Sequence, residues 1–231
     1  DGIKRTVKDA YRKLGIQYMR QHPEVEAFCR QAYFGGISYV NPDIQDKEVG
    51  AGVVYDVNSL YPYVMRQYAY PVYWPVKIEG FMDLDACLWI AEFNIRAEHI
   101  PGALPTLRVG KRWVDTYYEG SVVLTSIDFE MLLENYVVAE IRKTYLNHGR
   151  EPFMYYYRDK DAKEIDIVLE HDGVLNPIEI KKTSNPGTEL VKVFDLLDKS
   201  STPRAKGAVI CMKPGLSAID RDNYIVPIWM I

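Results

Sequence analysis

The stretch "EIDIVLEHDGVLNPIEIKK", residues 164–182, constrains the fold more than any other part of this chain. Two alternating runs flank Asp172-Gly173, a pair suited to a two-residue hairpin turn with positive φ at both positions. With that turn, His171 pairs with Val174, and the register of the whole hairpin follows. Asp166 then stands opposite Glu179, and Glu164 opposite Lys181. A four-residue loop over 171–174 keeps the same register. Ile165, Ile167, Leu169, Ile178 and Ile180 share the other face, an apolar set ready for a core.

That hairpin also gathers chemistry. Two carboxylates opposed across antiparallel strands can share one Mg²⁺ or Mn²⁺ ion through oxygen ligands. Lys181, two residues beyond Glu179, lies on the same face and can orient or deprotonate a water and stabilise a pentacovalent phosphate. Glu134, in a helical stretch upstream, is the match for a further acidic residue. Arg158, Lys160 and Lys163 precede the first strand as phosphate contacts or as a solvated charge run. The plainer reading of the hairpin is a set of cross-strand ion pairs, each worth about 0–1 kcal/mol.

Around it the chain reads as mixed α and β. Residues 3–33 are predicted helical, "FGGISYV" as the start of a strand and "NPDIQDKEVGAG" as a loop. "GVVYDV" is predicted as a strand, with Ser59 capping the helix "LYPYVMRQY" and Pro62 in its first turn. Short strands follow in "LWIAEFNI", "LPTLRVG" and "VVLTS". Thr125-Ser-Ile-Asp128 is a capping box for a helix of about 20 residues, ending near "NHG". "GAVICM" and "YIVPIWMI" add two strands at the end.

Composition limits the function classes. The 231 residues are 48% hydrophobic and 26% charged, which excludes a disordered chain. A net charge of −4 gives no global attraction to nucleic acid, so contact with DNA must use local patches. The 18 tyrosines suit base stacking and half-buried strands alike. Cys29, Cys87 and Cys211 show neither zinc-ligand spacing nor a disulfide framework. With no signal peptide and no apolar run of about 18 residues, a cytoplasmic setting away from membranes is expected. Opening on Asp1, the sequence reads as a fragment or a processed chain.

Two family resemblances divide the chain. "DVNSLYP" resembles motif A of family B DNA polymerases in the protein-primed bacteriophage version, and "AYFGG" resembles that group's YxGG motif. "IPGALPTLRVGKRW" is similar to the insertion that contacts the priming protein, so the likeness runs from about residue 20 to 130. It implies that Asp56 and the Val57 carbonyl hold catalytic metal. It also implies that the backbone at Ser59 and Leu60 receives a triphosphate, that Tyr61 rejects ribonucleotides, and that Tyr33, Gly35 and Gly36 hold template DNA. The family's second metal aspartate and its lysine-bearing KxxxNSxYG helix are missing from residues 63–231.

"EID" followed by "IEIKK" matches the PD-(D/E)XK nuclease pattern. Residues 130–231 more broadly resemble the nuclease-like C-terminal domain of a group of bacterial AAA-type ATPases. The resemblance implies Asp166, Glu179, Lys181 and Glu134 as site residues, and an ATPase as an associated partner. The expected organisation is a chimera: a partial polymerase palm and insertion over 1–130, then a PD-(D/E)XK-like domain over 131–231. The join lies within "IDFEMLLENYVV", where apolar spacing continues across it. The palm part, short of most of its sheet, is expected to be the less stable. Three functions follow: a metal-dependent nuclease-like enzyme, a non-catalytic interaction module, or residual polymerisation at Asp56 and Tyr61.

Overall fold

The structure, a computed structural model, describes Asp9, residues 12–13, 23–33, Val40, 42–56, 60–67, 75–79, Asp85, 88–99, 107–110 and 112–231. The chain forms two compact units, Asp1–Ile78 and Glu79–Ile231. Helices and sheets are both present, as the mixed α+β expectation requires.

In the first unit the described elements are α1 (Pro23–Gln31), a 3-10 turn at Pro42–Ile44 and α2 (Leu60–Gln67). The helices follow the sequence reading, with Pro62 tolerated in the first turn of α2, where its missing N–H leaves no bond unmade. The predicted strand "GVVYDV" is not formed across its described residues, 52–56. An apolar run becomes a strand only when a partner ladder takes its N–H and C=O groups, and none of the described residues supplies one. Val54 is 95% exposed and Tyr55 90%. Ala32 is the one buried apolar residue among those described in this unit.

The described residues of the second unit form ten strands. A long antiparallel pair, β1 (Ile90–Glu98) and β4 (Tyr117–Thr125), stands beside the small pair β2 (Arg108–Val109) and β3 (Arg112–Trp113). Then come α3 (Ser126–Asn147), β5 (Phe153–Arg158), β6 (Glu164–His171), β7 (Val174–Lys181), β8 (Gly207–Cys211), β9 (Ser217–Ala218) and β10 (Asn223–Pro227). The last six strands make one sheet in the order β5-β6-β7-β8-β10-β9, antiparallel among β5, β6 and β7 and parallel through β7, β8 and β10.

Helix α3 starts where the capping box places it. The Thr125 side chain accepts from the Asp128 N–H, and Asp128 accepts from the Thr125 N–H. The helix runs unbroken through the expected join and serves two cores. Phe129 and Leu132 pack with Leu107, Val122 and Leu124 of the β1–β4 region. Leu133, Val137 and Ile141 pack on the six-stranded sheet against Ile167, Ile178, Ile180 and Ile210. Compaction therefore divides at 78/79, while the change of family resemblance falls near 130. The shared helix ties the β1–β4 pair to the later sheet.

The other sheet face is covered by a 12-residue 3-10 segment, Thr188–Lys199, which sequence reading did not identify. Such a helix has three residues per turn, so positions three apart eclipse. Val191, Phe194 and Leu197 follow that spacing and are buried against Val168, Val209, Cys211 and Ile225. Gly207 lets the Phe194 ring approach, because a Cβ there would lie 2.8 Å from it.

Candidate functional site

The hairpin register is as read from the turn: pairing runs from His171↔Val174 through Ile167↔Ile178. Asp172 and Gly173 have φ of 50° and 76°, the double-positive geometry of a tight hairpin turn. The β6–β7 ladder then ends one residue short of Asp166. On the other side of β6, Tyr155 pairs with Val168 and Tyr157 with Ile165. Asp166 and Ile167 thus face the single residue Tyr156, which makes a β-bulge on β6.

The bulge corrects the expected apolar face. Strict alternation puts Ile165 with Ile167, yet Ile165 packs in the cluster around Phe194 and Ile167 in the cluster around Val137. One extra residue flips the parity of the strand. The bulge also releases Asp166 from regular pairing on both edges. Its carboxylate takes the place of a ladder bond by accepting the Ile180 N–H at 2.7 Å.

Lys181 joins the two predicted carboxylates. Its ammonium lies 3.2 Å from Asp166 Oδ2 and 2.7 Å from Glu179 Oε1. Glu179 is buried, and its Oε2 has no hydrogen-bond partner within the protein. Burial pushes the Glu179 carboxyl upward, with the Lys181 bond opposing the shift. Burial works to lower the Lys181 ammonium, but Glu179 and Asp166 outweigh it and hold it above its ordinary value. Glu134, on α3, is also pushed upward, by burial first and then by the negative charge of Asp166. This coupling places Glu134 in the electrostatic neighbourhood of Asp166 and Lys181.

The four predicted residues therefore share one locality. Glu130, one helical turn before Glu134, adds an ion pair to Lys182 at 3.6 Å. That spacing was readable in "ENYVV" and its preceding turn, but Glu130 was not singled out. Tyr156 was also missed, because nothing in "MYYYR" marks which tyrosine faces a bulge. Arg158 is held by Glu164 at 2.8 Å. Lys160 and Lys163 are exposed in the turn before β6, where the Asp159 carboxylate accepts the backbone N–H groups of Asp161 and Lys163.

Among the described residues, no group of three or more His, Cys, Asp or Glu side chains converges to hold a metal ion. The local chemistry nonetheless suits a divalent cation. Asp166 and Glu179 already converge on a positive group, and Glu179 Oε2 is a buried oxygen without a donor. Mg²⁺ characteristically takes one or two protein carboxylates and keeps its waters.

The polymerase-like positions are arranged differently. Asp56 is exposed at the end of an irregular run, and Leu60 and Tyr61 are exposed in the first turn of α2. Tyr33 is exposed after α1. Val57, Ser59, Gly35 and Gly36 lie outside the described residues.

Comparisons with known proteins divide the chain in the same way. Residues 4–108 match the family described as DNA polymerase type B, organellar and viral. Residues 129–231 match a domain of unknown function, DUF4143. The DNA polymerase of Bacillus phage Nf is 31% identical over 121 residues, covering 46% of this chain and 21% of the relative. The DNA polymerase of Bacillus phage phi29 is 32% identical over 121 residues, covering 46% and 20%. The chain spans about a fifth of the length of these curated relatives. No solved structure matches it. A polymerase-related segment and a domain of a second family are thus joined in one chain, the pattern of a chimera.

Proposed function

We propose that the C-terminal domain hydrolyses phosphodiester bonds in DNA with a divalent metal ion, using Asp166, Glu179, Lys181 and Glu134. The observation that carries this reading is the bulge at Asp166, which aims its carboxylate to share Lys181 with a half-orphaned Glu179. DNA as the partner is supported by the match of the N-terminal segment to polymerases. Asp166 and Glu179 are the residues to hold Mg²⁺ or Mn²⁺. Such an ion supplies an activated water and a counter-charge for the phosphate.

The chain's own groups divide the remaining work. Lys181, held protonated by its two carboxylates, stabilises negative charge on the phosphate rather than acting as a base. Glu134, its carboxyl pushed upward by burial and by Asp166, is the group suited to exchange a proton with the attacking water. In hydrolysis the water oxygen forms the new bond to phosphorus and the ester oxygen leaves with a proton.

The test is conversion of circular single-stranded and supercoiled DNA in Mn²⁺. Asp166→Ala and Lys181→Ala should each lower the rate by about a hundredfold or more. Cleavage unchanged by both substitutions would sink the assignment.

A second reading has its own support: Lys181 already neutralises both carboxylates, the arrangement of a structural ion-pair cluster in a non-catalytic interaction module. It predicts DNA or protein binding with no metal-dependent cleavage. Polymerisation is the weakest reading, because Asp56 has no second carboxylate motif downstream.

A further inference from the structure

We infer that Tyr156 is a stacking platform beside the proposed cleavage site, and that the site takes unpaired rather than duplex DNA. The inference rests on the hydrolytic reading for its location and on the geometry of β5 for its substrate class.

Tyr156 is the one residue of β5 that faces the two-residue bulge containing Asp166. Strand β5 is an edge of the six-stranded sheet, so nothing in the sheet lies beyond it. Tyr156 is 58% exposed, and its phenol interacts with Glu164 and Arg158, which are themselves ion-paired at 2.8 Å. Those contacts orient the ring while leaving much of it open. Glu164 in turn acts on Glu134, and Glu134 on Asp166. The ring therefore borders Glu164 and the bulge at Asp166 along β6.

Residues 158–164 carry three basic and three acidic side chains, so the attraction to a strand here is local, at exposed cations, and not a net positive charge. Arg158 is braced by Glu164, and the Asp159 carboxylate is engaged by backbone N–H groups of its own turn. Lys160 and Lys163 point no ion pair at any described residue and are exposed. Exposed aromatic faces beside free cations suit single strands, whose bases are available to stack. In a duplex the bases already stack on one another, and an edge-on ring finds no free face.

The experiment is fluorescence anisotropy of the full chain with a labelled oligothymidylate of about 20 nucleotides, or a duplex of equal length, in EDTA. The single strand should bind about tenfold more tightly than the duplex. Tyr156→Ala should weaken single-strand binding about fivefold or more, while Tyr156→Phe and Tyr156→Trp retain it. Circular dichroism and thermal melting verify that the variants fold. Equal affinity for both DNAs, an unaffected Tyr156→Ala, or a Phe variant as weak as the Ala variant would each overturn the inference. Because binding is read without metal, missing cleavage with Tyr156-dependent binding sinks only the hydrolytic reading. Asp166-dependent cleavage that ignores both Tyr156 and strandedness sinks only this inference.

Discussion

Asp56 and Asp166 each adjoin a β-prone apolar run, and the structure treats them in opposite ways. Asp56 ends an irregular segment in which Val53, Val54 and Tyr55 are exposed, within a unit where Ala32 is the one buried apolar residue among those described. Asp166 sits in a sheet covered on both faces, accepts the Ile180 N–H and meets Lys181. A motif supplies a carboxylate, but only a packed frame fixes where that carboxylate points. The stronger sequence motif, "DVNSLYP", has the weaker frame.

Packing gives the largest way to break this contrast. Phe194→Ala removes a fully buried ring from the second unit and should cost about 3–5 kcal/mol. Val54→Ala, in the first unit, should stay within about 0.5 kcal/mol. Urea titration of both variants measures the difference. A comparable loss from Val54→Ala would show that the first unit has a core of its own.

The pH response sharpens the comparison next. Glu179 and Glu134 have carboxyls raised above the ordinary 4.5, so the folded chain binds their protons more tightly than the unfolded chain. Stability should fall as pH rises from 4.5 through the raised values, then level off with both groups charged. Lys181, raised above 10.5, contributes stability that is complete below that value and is lost at higher pH. Glu179→Gln should flatten the acid-side fall of Tm. An unchanged slope would remove Glu179 from the buried cluster.

A smaller effect tests the helix that unites the second unit. Thr125→Ala deletes half of the capping box and should cost about 1 kcal/mol by denaturant titration. Since α3 contributes to both the β1–β4 core and the six-stranded sheet, one cooperative transition should shift as a whole. Two separate transitions would show that the join near residue 130 remains a working boundary.

Much of this was legible wherever local chemistry decides the conformation. Asp172-Gly173 specifies positive φ at both turn positions, which fixed the hairpin register from His171 to Ile167. Thr125 and Asp128 announced the start of α3. The bulge was not legible, because it depends on Asp166 competing for the Ile180 N–H across two strands. Alternation alone therefore misplaced Ile165. The 3-10 segment carried a visible signal in the triplet spacing of Val191, Phe194 and Leu197, which a search for α-helical or strand periods passes over. "GVVYDV" had strand propensity, but propensity does not provide the neighbouring ladder.

The contrast between the two aspartates reduces to a calorimetric titration of the full chain with Mn²⁺. The wild type should show a binding event that Glu179→Ala and Asp166→Ala abolish and Asp56→Ala leaves intact. Binding that survives Glu179→Ala and disappears with Asp56→Ala would contradict the account and return the chemistry to the polymerase-like segment.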